Sequence, residues 1–198
     1  MTTSTKVLVG AVALLLSVLP LGATTIDFEL GGPCGFVNTS PLTNQYAGVG
    51  AVFSGPSAGL GGAVLNQCSN FNNIAAHSGV DFLAFNDGSY AQGPEWIQFS
   101  TLQSSVSIWA AVGASVTLAA YDSTDTFLGS YTYLNPDTQW QLLSVSGAGI
   151  DHVILSYTGG VAVWDDLTYT SGPTVPEPST LLLLGGGLLG TIARMRKR

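Results

Sequence analysis

The chain has 198 residues, a formal charge of -7 and hydrophobic residues at 46% of positions. All five basic side chains lie at the ends, as Lys6, Arg194, Arg196, Lys197 and Arg198, while eleven acids fall between Thr24 and Val175. A body that acidic repels phosphate backbones, which excludes nucleic acid as a partner class, and it cannot neutralise a buried carboxylate with an internal Lys or Arg.

Composition divides the chain into a leader (1–23), a body (24–172) and a tail (173–198). Met1–Lys6 is short and positive, Val7–Leu21 is apolar, and Gly22 and Ala23 are small. This order predicts a secretory signal helix cleaved after Ala23. Export places Cys34 and Cys68, the only two cysteines, in an oxidising compartment where a pair bridges. In the chain-entropy treatment such a loop stabilises the fold by about 3–4 kcal/mol.

Alternation at period two then recurs through the body, with turn residues between the runs. It predicts strands at Thr25–Leu30, Val49–Phe53, Asp81–Phe85, Glu95–Ser100, Val106–Ala111, Val116–Tyr121, Phe127–Tyr133, Trp140–Val145, Ile150–Tyr157 and Val161–Tyr169. Asp122-Ser123-Thr124-Asp125, Asn135-Pro136-Asp137 and Ser146-Gly147-Ala148-Gly149 read as turns, and Gly31–Gly62 as long loops. The expectation is all-β: a two-sheet antiparallel β-sandwich, jelly-roll-like, between the signal helix and a C-terminal transmembrane helix.

The tail reads Val175-Pro176-Glu177-Pro178-Ser179-Thr180, then apolar Leu181–Ala193, then Arg194-Met195-Arg196-Lys197-Arg198. Thirteen helical residues reach about 20 Å, short of the roughly 30 Å hydrocarbon core, so the anchor is marginal and its basic end stays cytoplasmic. Pro176 and Pro178 keep the flanking backbone extended and accessible to a protease. This end resembles the PEP-CTERM sorting signal. The resemblance implies recognition at Pro176, Glu177 and Pro178 by an exosortase-type membrane peptidase. It further implies transient residence in the inner membrane, and delivery to the cell surface or extracellular matrix of a Gram-negative bacterium that makes extracellular polysaccharide. Val161–Tyr169 resembles the closing strand of calcium-binding jelly-roll domains, a group that includes carbohydrate-binding modules.

Two motif matches in the body and tail carry no chemistry. Gly55-Pro56-Ser57-Ala58-Gly59 fits the serine-nucleophile elbow, but glycines follow where its helix should begin. Gly185, Gly187 and Gly190 lie in the apolar tail, away from any βαβ unit. His77 and His152 show no nucleophile arranged with them, so no catalytic residues are assigned and the body is read as non-enzymatic.

Strand parity groups Asp165 with Val161, Val163, Leu167 and Tyr169, an apolar face on which a carboxylate needs a partner. With no Lys or Arg to supply it, a structural Ca²⁺ held by Asp165 and Glu29, assisted by Asp27 or Asp166, is the expected solution. Asp27 and Glu29 should point outward unless a bulge at Gly31-Gly32 turns the chain. Trp140 and Tyr131, set among polar neighbours, are the candidate stacking residues for polysaccharide. The function expected is a structural or adhesive surface protein. The alternatives are a carbohydrate-binding lectin and, further off, a glycan hydrolase or an ice-binding protein.

Overall fold

The computed structural model describes residues 22–31, Cys34 and 41–172. The expected signal helix and tail helix fall almost wholly outside these residues, and no helix among the described residues is long and apolar enough to cross a membrane.

The body is all-β and antiparallel, as the alternation predicts. Its strands are β1 (Ala23–Ile26), β2 (Ala51–Ser54), β3 (Ala63–Asn66), β4 (Asp81–Asn86), β5 (Glu95–Ala111), β6 (Ser115–Tyr121), β7 (Phe127–Leu134), β8 (Gln141–Thr158) and β9 (Val161–Ser171). They run in the order β3-β4-β9-β5-β8-β6-β7, with β1 on β9 and β2 on β5.

Two pairs of expected strands are single long ones. Glu95–Ala111 continues through 101–105, and Gln141–Thr158 continues through the expected turn at 146–149. The sequence interrupts the hydrophobic alternation there because the ladder does. The β5–β8 register shifts between Gln98 and Gln103 and again before Ser105. Such irregularities bend a strand and raise its twist without ending it.

That bend makes the sandwich. Residues 95–98 of β5 lie between β2 and the second half of β8, whereas residues 103–111 lie between β9 and the first half of β8. The sheet thereby folds over itself. Inward side chains from both layers, such as Phe53, Ile97, Leu118 and Leu155 on one and Leu83, Ile108, Leu143 and Trp164 on the other, form one core. Each is essentially sealed from solvent, and burying one contributes about 1.5–3 kcal/mol.

A second, smaller core lies on the outer side of β3, β4, β9 and β5. There Leu65, Phe82, Ala84, Ala111 and Val163 are covered by Phe71, Ile74 and Ala76. The covering segment carries two short 3-10 turns, Gln67–Ser69 and Phe71–Asn73. Its Cys68 is bonded to Cys34, with Cα atoms 5.4 Å apart, as the cysteine count predicts.

β9 departs from the expected parity. Ala162 and Trp164 face the main core while Val161 and Val163 face the smaller one; beyond Asp166, Leu167 and Tyr169 face the main core. The cause is Asp166 itself, with φ at 48° in the left-handed region, where the β5–β9 register shifts. Asp165 therefore shares a face with Val161 and Val163 but not with Leu167 and Tyr169. After β1 the chain turns earlier than the expected Gly31-Gly32 bulge. Phe28 has φ 58°, Ile26 and Phe28 are buried, and Leu30, expected inward, is 37% exposed. A left-handed Phe costs on the order of 1–3 kcal/mol. Packing of its ring against Tyr46 and Phe53 holds it there.

Candidate functional site

The first and last strands pair directly, Ile26 opposite Leu167 and Ala23 opposite Thr170. This brings the acids that follow β1 alongside those in β9. Glu29 Oε1 accepts from the backbone N–H groups of Val80 (2.6 Å) and Asp81 (2.8 Å). Gly79 lets it approach: its φ is +55°, and a Cβ there would lie 2.1 Å from Glu29 Oε1.

Asp81 is fully buried, with Oδ1 taking the Asn66 amide at 2.7 Å and Oδ2 the Gly31 N–H at 3.1 Å. Asp27 is exposed and caps the Glu29 N–H at 3.2 Å. Asp165, also fully buried, accepts three backbone N–H groups: His77 (2.9 Å) and Ser78 (3.1 Å) at Oδ2, and Asp166 (2.8 Å) at Oδ1. Asp166 takes the Ser78 hydroxyl at 2.7 Å and His77 Nδ1 at 2.6 Å.

A chain without cations in its body thus meets its buried carboxylates with main-chain N–H dipoles. Burial still raises the Asp165 carboxyl to about 7, opposed by the Ser78 N–H and helped by the Asp166 charge. Tyr46 marks the centre of this acidic ground. Its hydroxyl is buried without a hydrogen-bond partner, and its pKa is raised first by burial and then by Asp27, Asp81, Glu29 and Asp165.

The four residues expected to clasp calcium are therefore neighbours, joined by Asp81. Both oxygens of Asp165 and one of Glu29 are committed to N–H donors, and among the described residues no group of three His, Cys, Asp or Glu could hold a metal ion.

Trp140 belongs to the same neighbourhood. Its indole N–H donates to Ala75 O at 3.0 Å, and its ring meets His77 edge-on at 5.8 Å. His77 also stacks on Trp109, centroids 4.0 Å apart. Trp140 thus pins the covering segment, while Tyr131 stands 41% exposed on β7, opposite Leu118. The structure does not bring Trp140 and Tyr131 together into one platform. Trp164 is core, with no exposure.

Sequence reasoning missed a different strip. On the outer face of the β2-β5-β8-β6 layer, Gln98 lies opposite His152, and His152 opposite Tyr121; one step along, Trp96 lies opposite Ile154. Tyr121 and His152 stack almost parallel, centroids 5.2 Å apart at 7°. Gln98 Nε2 donates to Asp151 Oδ2 at 2.8 Å. Parity alone puts Trp96 and Gln98 on one face, but only the strand register adds Tyr121 and His152.

Glu95 was missed altogether as a site. It begins β5 facing inward, with no exposed surface. Its Oε2 accepts the Gly62 N–H at 2.6 Å, and its Oε1 is buried without a partner. Desolvation raises its pKa to about 8 against that single donor. An open cleft of about 510 Å³ lies close by, lined by Pro41, Thr43, Gln45, Ser54 and Leu60, with Ser57 of the elbow-like sequence. Its lining holds no acid, histidine or cysteine. After Gly59 the chain enters β3 with no helix between, so the elbow geometry is not built.

Comparison with known proteins gives one sequence match. Residues 174–197 match the PEP-CTERM protein-sorting motif, which contains Pro176, Glu177 and Pro178 and lies outside the described residues. No curated protein matches the chain. Among solved structures, a DUF4465 family protein from Bacteroides caccae is similar at 14% identity and TM-score 0.44, over 80% of this chain and 97% of that one. A family 29 carbohydrate-binding module is similar at 16% identity and TM-score 0.36, over 81% and 99%. The CBM22-1 and GH10 modules of a Clostridium thermocellum xylanase, complexed with xylohexaose, are similar at 12% identity and TM-score 0.39, over 73% of this chain and 30% of that one.

Proposed function

We propose that the chain is an exported precursor, held briefly in the inner membrane by its tail and cut at Pro176-Glu177-Pro178 by an exosortase-type peptidase. The released body, a jelly-roll-like sandwich, is a non-enzymatic structural or adhesive component of the cell surface or extracellular matrix. The observation that carries this reading is the sorting motif at residues 174–197. The test is the mass of the protein recovered from membranes and from culture supernatant. Replacing Pro176, Glu177 and Pro178 together by alanine should move most of it from a shortened, released form to a full-length, membrane-held one. Unchanged processing would remove the assignment.

The strip of Trp96, Gln98, His152 and Tyr121 favours a second reading, binding of polysaccharide. Aromatic faces and hydrogen-bonding side chains side by side on a sheet suit a sugar ring, which presents apolar faces and hydroxyl edges. In affinity electrophoresis through gels loaded with neutral or acidic polysaccharide, retardation by one of them should be lost in Trp96→Ala and in Tyr121→Ala. It should persist in Trp140→Ala, whose ring serves the covering segment. Unretarded wild type across the panel would leave the structural role alone. A structural Ca²⁺ at Asp165 and Glu29 rests on the gathered acids, and binding it would require them to exchange their N–H donors for the ion.

A further inference from the structure

Strand β7 ends the strand order, so one of its edges carries main-chain groups with no strand beside them among the described residues. Such edges are ordinarily protected by lysine, proline, a bulge or mere shortness. Phe127–Leu134 spans eight residues with no charge and no proline, and its pairing to β6 is regular from Gly129 to Leu134. Four of its side chains are large, apolar or aromatic, and exposed: Phe127 (56%), Leu128 (38%), Tyr131 (41%) and Leu134 (66%). The acids stop on either side, at Asp122 and Asp125 before the strand and Asp137 after it.

We propose that β7 is where a second copy of this chain adds, edge to edge and antiparallel, continuing the layer across a two-fold axis. Two features point to a copy as the occupant. The first is that the strand complements itself. A two-fold axis perpendicular to a sheet preserves its faces, so even residues meet even and odd meet odd. Centred on Tyr131, the pairing sets Tyr131 against its own copy, Ser130 against Thr132, and Leu128 against Leu134. At these positions apolar meets apolar and hydroxyl meets hydroxyl, the cross-strand pairs that stabilise antiparallel ladders, while Gly129 faces Tyr133 and Phe127 lies past the paired stretch. Centring on Ser130 would oppose Leu128 to Thr132 and leave Leu134 unmatched.

The second is charge. The strand offers a basic partner no carboxylate, while an acidic body repels any acidic partner over most of its surface. Two copies can approach where that surface is neutral, and β7 is such a stretch. The interface is small beside the 1,200–2,000 Å² or so of a stable complex, so association is weak and concentration-dependent. Because the bodies repel one another, added salt tightens it by screening, with a Debye length of about 10 Å at 0.1 M. A basic protein partner would give the opposite salt dependence.

Sedimentation velocity of the processed body at rising concentration, in low and in high salt, tests the proposal. The expected result is a monomer–dimer equilibrium that shifts toward dimer with salt and is lost in Tyr131→Lys. Tyr131 is 41% exposed on the outermost strand, so this variant should stay folded with a modest fall in melting temperature, which is measured alongside. Register is read by mild oxidation. Tyr131→Cys should cross-link to itself, because Cα atoms of directly opposed residues lie about 4.5–5.5 Å apart, within disulfide reach. Leu134→Cys should cross-link poorly alone and well when mixed with Leu128→Cys. A wild type that stays monomeric throughout, a dimer untouched by Tyr131→Lys, or equal cross-linking by Leu134→Cys and Tyr131→Cys would each overturn it.

Discussion

Glu95→Gln should flatten the dependence of stability on pH and leave the protein markedly more stable than wild type above neutrality. Glu95 is sealed in the core with one donor on one oxygen and none on the other, so its carboxyl is held protonated to about pH 8, against an ordinary value of 4.5. Between those two values the unfolded chain has released this proton and the folded chain still holds it. Stability rises with pH where the unfolded state binds more protons, so here, where it binds fewer, stability must fall as pH rises. The fall begins near 4.5 and levels off beyond about 8. At about 1.4 kcal/mol per pH unit, the loss across the window is on the order of 5 kcal/mol. Gln keeps the acceptor for the Gly62 N–H and cannot ionise. Urea unfolding of wild type and variant from mildly acidic to mildly alkaline pH reads the effect directly. The residual slope in the variant belongs to Asp165, which burial shifts in the same direction. An undiminished slope in Glu95→Gln would show that the charged form is accommodated.

Asp165→Ala should cost about 3 kcal/mol or more. It strips the acceptor from three main-chain N–H groups at once, each a donor worth about 1–3 kcal/mol when left buried and unmet. For a domain of this size that is a melting temperature lower by about 6–12 °C. Asp165→Asn, which retains one oxygen, should lose less. Melting wild-type protein with and without a calcium chelator separates two sources of the effect. The hydrogen bonds lead us to expect an unchanged midpoint, with the N–H donors sufficient; a midpoint that falls toward that of Asp165→Ala would assign the cluster to a bound ion.

The sequence disclosed what depends on local alternation and on composition. The antiparallel all-β body, most strand positions and the Cys34–Cys68 bond follow from period-two runs and from two cysteines in a chain whose leader reads as an export signal. The pairing of first strand with last could be anticipated, and with it the placing of Glu29 and Asp165 against one segment, residues 77–81. Features set by one residue's backbone could not. A left-handed Phe28 turns the chain before the glycines expected to do so, and a left-handed Asp166 reverses the parity on which Asp165 was placed. Phe does not announce a positive φ, and Asp, which adopts one more readily, does so without marking which Asp will; surrounding packing imposes it. The Trp96–Tyr121 strip depends on the register of three strands distant in sequence, and Glu95 on a glycine-rich loop closing over it. Both belong to tertiary structure, which alternation does not encode.

The place of β9 has a mechanical consequence. It leads straight from the body to the C-terminal segment, and it is an interior strand, hydrogen-bonded along one side to β5 and on the other to β4 and then β1. Tension on the tail therefore enters at Ser171 and loads those ladders in shear, many bonds at once, instead of peeling an outer strand bond by bond. A body tethered through that end would resist being pulled open at the point where the pull is applied.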